Sequence, residues 1–513
     1  MPKHVLIKSA AFCLVTIAPT AAAALLNFER LWTASTTGAE IGVFAASAQR
    51  VFITNAEDNS LDVIDAGNGN LLHSIDTLGS PNSVAYCGEE CAFPVIAVAV
   101  EGDTKQMPGF IRFYRVHDYA YLGSVEAGAL PDMVTFTPDG RKVLVANEGE
   151  PNDAYDNDPE GSVTIIDISG YATGGDDAVT VKHLSFSVFN DRAFALVQGG
   201  VRIFGPNATV GQDIEPEYIT VSDDSKRAWV GLQENNAIAE IDIDNAEIVA
   251  VRALGSKRHR RARHAFDASN RDDIDGNLQR WPVRSLYMPD AIAQFTVAGE
   301  TFIVTANEGD ARDYDGFSEE ARVADLALDP EKFPDAELLQ ADEHLGRLKT
   351  TLVQGDTDGD GDFDSIYAYG GRSFSIWSEH GARAYDSGNR LARRVLSDFP
   401  EAWDDGRSDD KGGEPEALTI GHIDGRPIAF VGLERYSVVL AYDLSNPQCP
   451  RYLGGVNKES DISPEGLQFI SAEQSGRKHN QLLVVNEVSA TTSLYSIGLN
   501  RDLARLGSGC KSR

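Results

Sequence analysis

The sequence predicts an all-β fold, a seven-bladed β-propeller, and three observations carry the prediction. A short acidic signature returns along nearly the whole chain, the segments between its copies are short β-branched runs, and turn residues separate those runs. In each good copy an Asp or Glu after Pro opens one strand, and a Glu closes the next strand 16 to 22 positions later. The best copies are Pro131-Asp132 with Asn147-Glu148, Pro216-Glu217 with Gln233-Glu234, Pro289-Asp290 with Asn307-Glu308, Pro415-Glu416 with Glu434, and Pro464-Glu465 with Asn486-Glu487. Two degenerate copies precede them, Glu40 with Asn55 and Glu57, and Pro81-Asn82 with Glu101.

One copy shows why each reads as a four-stranded blade. After Pro131-Asp132 come an apolar run, the turn Pro138-Asp139-Gly140, the strand Val143-Leu144-Val145-Ala146 and the strand Ser162-Val163-Thr164-Ile165-Ile166-Asp167. Residues 40 to 82, 82 to 132 and 416 to 465 match the roughly 40 to 50 residues of a minimal blade. The intervals 132 to 217, 217 to 290 and 290 to 416 are longer, so the middle blades hold insertions, at about 168–213, 256–286 and 309–365. The last copy supplies only three strands, ending near Ile497. An unused strand over 27–33 is predicted to complete it and close the ring, because an open edge invites aggregation.

Residues 1–24 carry Lys3 and Lys8, an apolar stretch from Ala10 to Ile17 and small residues at Ala21 to Ala24, the pattern of a cleaved secretory signal peptide. A single propeller domain over 25–513 is expected to follow, with no transmembrane segment, released to the periplasm or medium. In such a compartment Cys87, Cys91, Cys449 and Cys510 can form two disulfides, most simply Cys87 with Cys91 and Cys449 with Cys510. Net charge is −33, from 78 acidic and 45 basic residues. That balance argues against nucleic acid as a partner and favours divalent cations. The one basic run, Lys257 to His264, reads as a solvated loop, with an anion or surface contact as the alternative.

Two constellations carry chemistry. In Asp356-Thr357-Asp358-Gly359-Asp360-Gly361-Asp362-Phe363-Asp364, acidic oxygens alternate with glycines that permit a tight turn, so Asp356, Asp358, Asp360, Asp362 and Asp364 are expected to wrap calcium. An Asx-rich turn without an ion is the plain alternative. The second constellation is the repeat itself. Strand starts and ends lie near one mouth of a propeller channel, so Asp132, Glu148, Glu217, Glu234, Asp290, Glu308, Asp310, Glu416, Glu434, Glu465 and Glu487 are expected to converge as a metal or substrate site. Such a set repels itself unless protonated, paired or metal-bound. The alternative is that each carboxylate caps a turn and pairs with a neighbour. Arg312, Arg372 and Arg435 stand near the signature as anion-binding candidates. No nucleophile elbow, phosphate loop or dinucleotide fingerprint is present. Gly370-Gly371-Arg372-Ser373 reads as a strand-turn pair before a serine nucleophile, and Asn235-Asn236 as a turn.

Longer motifs point to a family. Glu215-Pro216-Glu217-Tyr218, Thr305-Ala306-Asn307-Glu308-Gly309-Asp310-Ala311-Arg312-Asp313-Tyr314, Gly371-Arg372-Ser373-Phe374-Ser375-Ile376-Trp377 and Ser463-Pro464-Glu465-Gly466-Leu467 resemble the choice-of-anchor I domain. The resemblance covers nearly all of residues 25–513 and extends to mesenchyme-specific cell-surface glycoproteins and to bacterial proteins labelled alkaline phosphatases. It implies an exported propeller. Two functions follow as expectations: a calcium- or other metal-dependent phosphoric ester hydrolase, or a non-enzymatic calcium-binding module that engages polysaccharide, a mineral surface or a partner protein. The segment 309–350 is expected either to cover the channel mouth or to pack outside it.

Overall fold

Short β-branched runs punctuated by turns assemble into antiparallel ladders. The computed structural model describes residues 25–170 and 179–500 and contains seven four-stranded sheets. Sheets 1 to 6 occupy residues 42–76, 81–129, 131–185, 216–253, 292–386 and 415–457. Sheet 7 takes three strands from residues 464–499 and its fourth from the N-terminal strand Leu26–Ser35, which pairs antiparallel with Thr491–Leu499. The first strands of successive sheets are neighbours in chain order, and that of sheet 7 also neighbours that of sheet 1. The architecture is all-β and propeller-like.

Hydrophobic clusters lie between each consecutive pair of sheets. Phe186, Val163, Val230 and Ile241 fill the space between sheets 3 and 4, while Trp229, Tyr287, Ile303 and Trp377 fill that between sheets 4 and 5. Because sheets stack on both faces, central strands such as Val95–Val100 and Gln481–Asn486 are buried throughout, which explains their continuous apolar runs. Trp32 of the N-terminal strand packs with Phe44, Val51 and Ile64 of sheet 1, and its indole N–H donates to Ala66 O at 3.0 Å.

The asparagines that end second strands pin the sheets internally. Asn147 Nδ2 donates to Ser162 Oγ (3.1 Å) and Thr164 Oγ1 (2.9 Å), and Asn307 Nδ2 to Ser373 Oγ (3.2 Å) and Ser375 Oγ (2.9 Å). Asn55 and Asn486 reach Asp62 Oδ2 and Thr491 Oγ1 in the same way. In an Asn-Glu pair the asparagine is therefore structural, and the following glutamate is left to the channel mouth.

The insertions are folded. Within 168–213, Thr180–Ser185 is the outer strand of sheet 3, a correction to its reading as insertion. The segment 256–286 forms a three-stranded sheet, Ser256–Arg258, Val283–Leu286 and Ile366–Ala368, with the strand that directly follows the 309–365 insertion, and the two insertions share a core of Phe266, Trp281, Val323, Leu345 and Leu348. The basic run is solvated only in part: Arg258, Arg260, Arg261 and Arg263 are exposed, whereas the residues between them are anchored. Lys257, His259 and His264 are buried, with Lys257 Nζ 2.8 Å from Ser373 Oγ and His259 Nε2 2.8 Å from Ser285 Oγ. A strand ladder and the satellite core overrode the local charge pattern. Cys87 and Cys91 form a disulfide. Cys449 is disulfide-bonded; Cys510, its expected partner, and the predicted signal segment 1–24 lie outside the described residues.

If the N-terminal strand holds sheets 7 and 1 together, Trp32→Ala costs about 3 to 5 kcal/mol. Urea unfolding checks this, and an unchanged midpoint would show that the strand adds no stability at this seam.

Candidate functional site

The repeat aims its first carboxylate with a bulge. In sheets 2, 3, 4, 6 and 7 the strand begins with Pro paired to the second strand, and the register then slips by one residue just beyond it. Proline has no N–H to lose at a strand start, and the unpaired residue after it is free to turn its side chain out of the ladder. That residue is Asn82, Asp132, Glu217, Glu416 or Glu465. The residues before three of these prolines, Leu130, Glu414 and Ser463, and Met288 before Pro289 ahead of sheet 5, hold φ between +45° and +63°. This left-handed conformation costs about 1 kcal/mol or more for a non-glycine residue. Strain at one address in four sheets marks a geometry the surrounding fold enforces.

The first carboxylates meet those that follow the second strands. Asp290, Glu308 and Glu416 bring oxygen atoms within 4.8 Å of one another, as do Glu308, Glu414 and Glu434. Beside them a cavity of about 400 Å³ is lined by Glu40, Glu101, Asp132, Glu148, Asp290 and Glu465, with Lys105 and Tyr218. Burial first, and neighbouring carboxylates second, hold Glu148, Glu217, Asp290, Glu416 and Glu465 well above the usual carboxylate range. Glu234 is raised in the same way, with Glu215 as its main acidic neighbour. Asp132 and Glu434 are pushed up to about 7, again chiefly by burial; Glu150 adds to the shift at Asp132, while Arg435 opposes it at Glu434. Burial also raises Glu308 against the pull of Lys411, whereas at the solvent-exposed Asp310 desolvation is outweighed by Lys411, the Ala311 amide and Lys349 together, and the carboxyl is lowered. Glu487 is exposed and stands at the edge of the set, near Glu40 and Glu465. Glu217, Glu234, Glu416 and Glu465 each keep one buried carboxylate oxygen with no hydrogen-bond donor, and Glu234 is only 6% exposed.

The arginines are placed differently from expectation. Arg312 is buried between Asp213 (3.1 Å) and Glu215 (3.1 Å), over the Phe204 ring. Its charge is matched inside the protein, which removes it as an anion-binding candidate. Arg372 is removed as well: its guanidinium donates to the carbonyls of Asp267, Ser408 and Asp410 and stacks over Phe266. Arg435 does reach the channel, at 2.8 Å from Glu434 and 3.0 Å from Glu414. Ser373 is fully buried and bonded to Lys257, Asn307 and Asp386, so it is a strand residue and no nucleophile. Asn235 and Asn236 form the expected turn, and both side chains are also buried anchors, Asn235 to Asp213 O and Asn236 to the amides of Tyr287 and Met288.

The loop is exposed over residues 356–361 and half-buried over 362–364. Asp356, Asp358 and Asp360 place oxygens within 4.8 Å of one another, while Asp356 also accepts from the amides of Gly359 (2.7 Å) and Gly361 (3.1 Å). Asp362 and Asp364 stand outside that trio; Asp364 Oδ2 accepts from Thr357 N at 2.8 Å, and its Oδ1 faces Lys332 at 3.5 Å.

Three channel residues escape the sequence pattern. Lys411 Nζ lies 3.0 Å from Asp310, 3.3 Å from Glu308 and 3.7 Å from Glu414. Glu414 is fully buried and faces Arg407, Lys411 and Arg435. Lys105 pairs with Glu150 at the opposite side. A signal for Glu414 was present in the doubled acid of Glu414-Pro415-Glu416, matched by Glu215-Pro216-Glu217: in both, the glutamate before proline is buried against an arginine. Segment 309–350 is anchored by buried Glu319, paired with Arg202, and by Arg322 on Asp409.

Comparison with known proteins agrees with the motifs. Gigasin-3a of Magallana gigas is 26% identical over 197 residues, which cover 32% of this chain and 69% of that protein. The mesenchyme-specific cell surface glycoprotein of Strongylocentrotus purpuratus is 24% identical over 336 residues, covering 57% of this chain and 41% of the glycoprotein, so the match spans under half of its length. Among solved structures, Kuenenia stuttgartiensis hydrazine synthase has a TM-score of 0.48 at 12% identity, covering 95% of this chain and 99% of its own, and the WD40 domain of Toxoplasma gondii coronin has 0.45 at 9%, covering 93% and 87%. The choice-of-anchor I domain model matches residues 40–447, and the chain belongs to the choice-of-anchor I domain family.

Proposed function

We propose that this chain is a calcium-binding, seven-bladed propeller of the cell exterior, closed by its N-terminal strand, that works as a binding module. One observation carries the reading: four channel carboxylates present buried oxygens that no protein donor satisfies. Buried anionic oxygens without donors require protons or cations. The donor set of the nearby trio, Asp290, Glu308 and Glu416, is all carboxylate, which suits a hard ion such as calcium. The trio Asp356, Asp358 and Asp360 would hold a second calcium on the surface. The extracellular assignment is supported by the signal-like N-terminal sequence and by the cell-surface name of the sea-urchin relative. Among the described residues no helix is long and apolar enough to cross a membrane. Phosphate ester hydrolysis is the weaker reading, because Arg312 and Arg372 are committed inside the protein.

Titrating calcium into purified residues 25–513 tests this. Binding is expected, lost from the channel in Asp290→Asn/Glu416→Gln and from the loop in Asp358→Asn/Asp360→Asn, with no turnover of p-nitrophenyl phosphate. A protein that binds no calcium would overturn the proposal, and calcium-dependent phosphate release would restore the hydrolase. Saturation to 100 Kd at one site adds about 2.7 kcal/mol of stability.

The same carboxylates set a pH dependence. A carboxyl whose pKa is higher in the folded state stabilises the fold while protonated. That contribution is complete below the unfolded value of about 4 and is lost as pH rises through the folded value, about 7 for Asp132 and Glu434. In chelator the melting temperature therefore falls between pH 5 and pH 8, and calcium reduces the fall. Equal slopes with and without calcium would place the ion away from these groups.

A further inference from the structure

The two acidic trios of the channel overlap. Glu308 belongs both to Asp290, Glu308 and Glu416 and to Glu308, Glu414 and Glu434, so the carboxylates form one cluster with two overlapping lobes that share it. The lobes differ in what the chain itself supplies. In the second, Lys411 Nζ faces Glu308 and Glu414, and Arg435 spans Glu414 and Glu434. Arg407 closes the far side of Glu414 at 2.6 Å. In the first, no lysine or arginine nitrogen lies within ion-pair distance of Asp290 or Glu416 among the described residues, and Glu416 Oε2 is buried with no donor. Glu308 is the hinge of the charge distribution: Oε1 faces Lys411 and Oε2 accepts from Gln233 Nε2 at 2.8 Å.

Lys411 is held in place from behind. Arg372 clamps the carbonyls of Ser408 and Asp410, and Arg322 and Arg347 bind Asp409 at 2.8 and 3.0 Å. Lys349 faces Asp410 at 3.6 Å. The segment carrying Lys411 is thus fixed on both flanks, and the lysine side chain is 12% exposed.

We propose that Lys411 is a tethered cation that fills the second lobe, so that the channel takes one divalent ion, in the lobe of Asp290, Glu308 and Glu416, where the same carboxylates without the lysine would take two. This rests on the cation-binding reading above and adds its stoichiometry. An ammonium offers hydrogen bonds and one charge but accepts no ligands, so it neutralises Glu308 and Glu414 while blocking the approach of an ion to both. Glu308 Oε2, which accepts only from the neutral Gln233 amide, remains the oxygen that can serve the first lobe. Lys411 is a positioning residue here, acting through Glu308 on the ion.

The test counts calcium ions by isothermal titration in the Asp358→Asn/Asp360→Asn background, where the surface loop is silent. The parent is expected to bind one ion, Lys411→Arg one, and Lys411→Met two. Lys411→Met/Glu414→Gln, which removes a ligand of the second lobe together with the lysine, is expected to return to one and guards against loss of fold in the single variant. One ion in Lys411→Met with the affinity of the parent overturns the tethered-cation assignment while leaving the channel site standing. No channel ion in the parent overturns the cation-binding reading itself.

Discussion

Repulsion among buried carboxylates is the constraint on which the rest of this structure depends. Each sheet delivers acid to one axis, and at 4.8 Å two like charges repel by about 3.5 kcal/mol at an effective dielectric constant near 20. That exceeds the worth of a typical surface ion pair several-fold. A fold with marginal net stability of about 5 to 15 kcal/mol cannot leave several such pairs uncompensated. Protons, internal cations and bound ions are the available remedies: the raised carboxyl pKa values reflect the first, Lys411 supplies the second, and the donor-free oxygens are where the third would enter.

The protein keeps two kinds of buried acid apart. Asp213, Glu215 and Glu319 are matched by Arg312 and Arg202 and fasten the insertions to sheet 4. Among the described residues, Asp290, Glu416, Glu217 and Glu465 have no arginine or lysine within ion-pair distance, and Glu416, Glu217 and Glu465 each keep a buried oxygen without a donor. Glu215-Pro216-Glu217 and Glu414-Pro415-Glu416 hold one acid of each kind across a single proline. The bulge after the proline sends the second acid towards the channel while the first stays against its arginine. A two-residue shift in sequence thereby separates a structural ion pair from a site.

The sequence made the repeat visible because apolar strands and the Pro-acid signature are local, and the N-terminal strand was legible by its surplus over the last copy. The channel carboxylates were legible for the same reason, since one address repeats. Local reading failed where tertiary partners decide. Arg312, Arg372, Lys257, His259 and His264 resemble open basic groups, yet tertiary partners engage each of them: Asp213 and Glu215 hold Arg312, Phe266 of the satellite core lies under Arg372, and Lys257, His259 and His264 are buried. Lys411 was hidden because it lies in a polar segment, Ser408-Asp409-Asp410-Lys411-Gly412-Gly413, that carries no repeat signal. Nothing short of the fold brings that segment to Glu308. The bulges were equally invisible, because a register slip leaves no mark on composition.

The position of Lys411 also bears on what chemistry the channel can support. Phosphoryl chemistry needs cationic groups free to follow charge onto non-bridging oxygens. Here the cation nearest the open lobe is already shared among Glu308, Asp310 and Glu414. Turning it to an incoming phosphate would leave those carboxylates short of a partner, and breaking a buried pair costs about 3 to 5 kcal/mol. Arg435 is bound in the same way by Glu414 and Glu434. An anionic substrate would have to bring its own positive charge, against a wall of carboxylates. A cation faces the opposite balance: it relieves repulsion that the folded chain already carries, so binding and stability rise together.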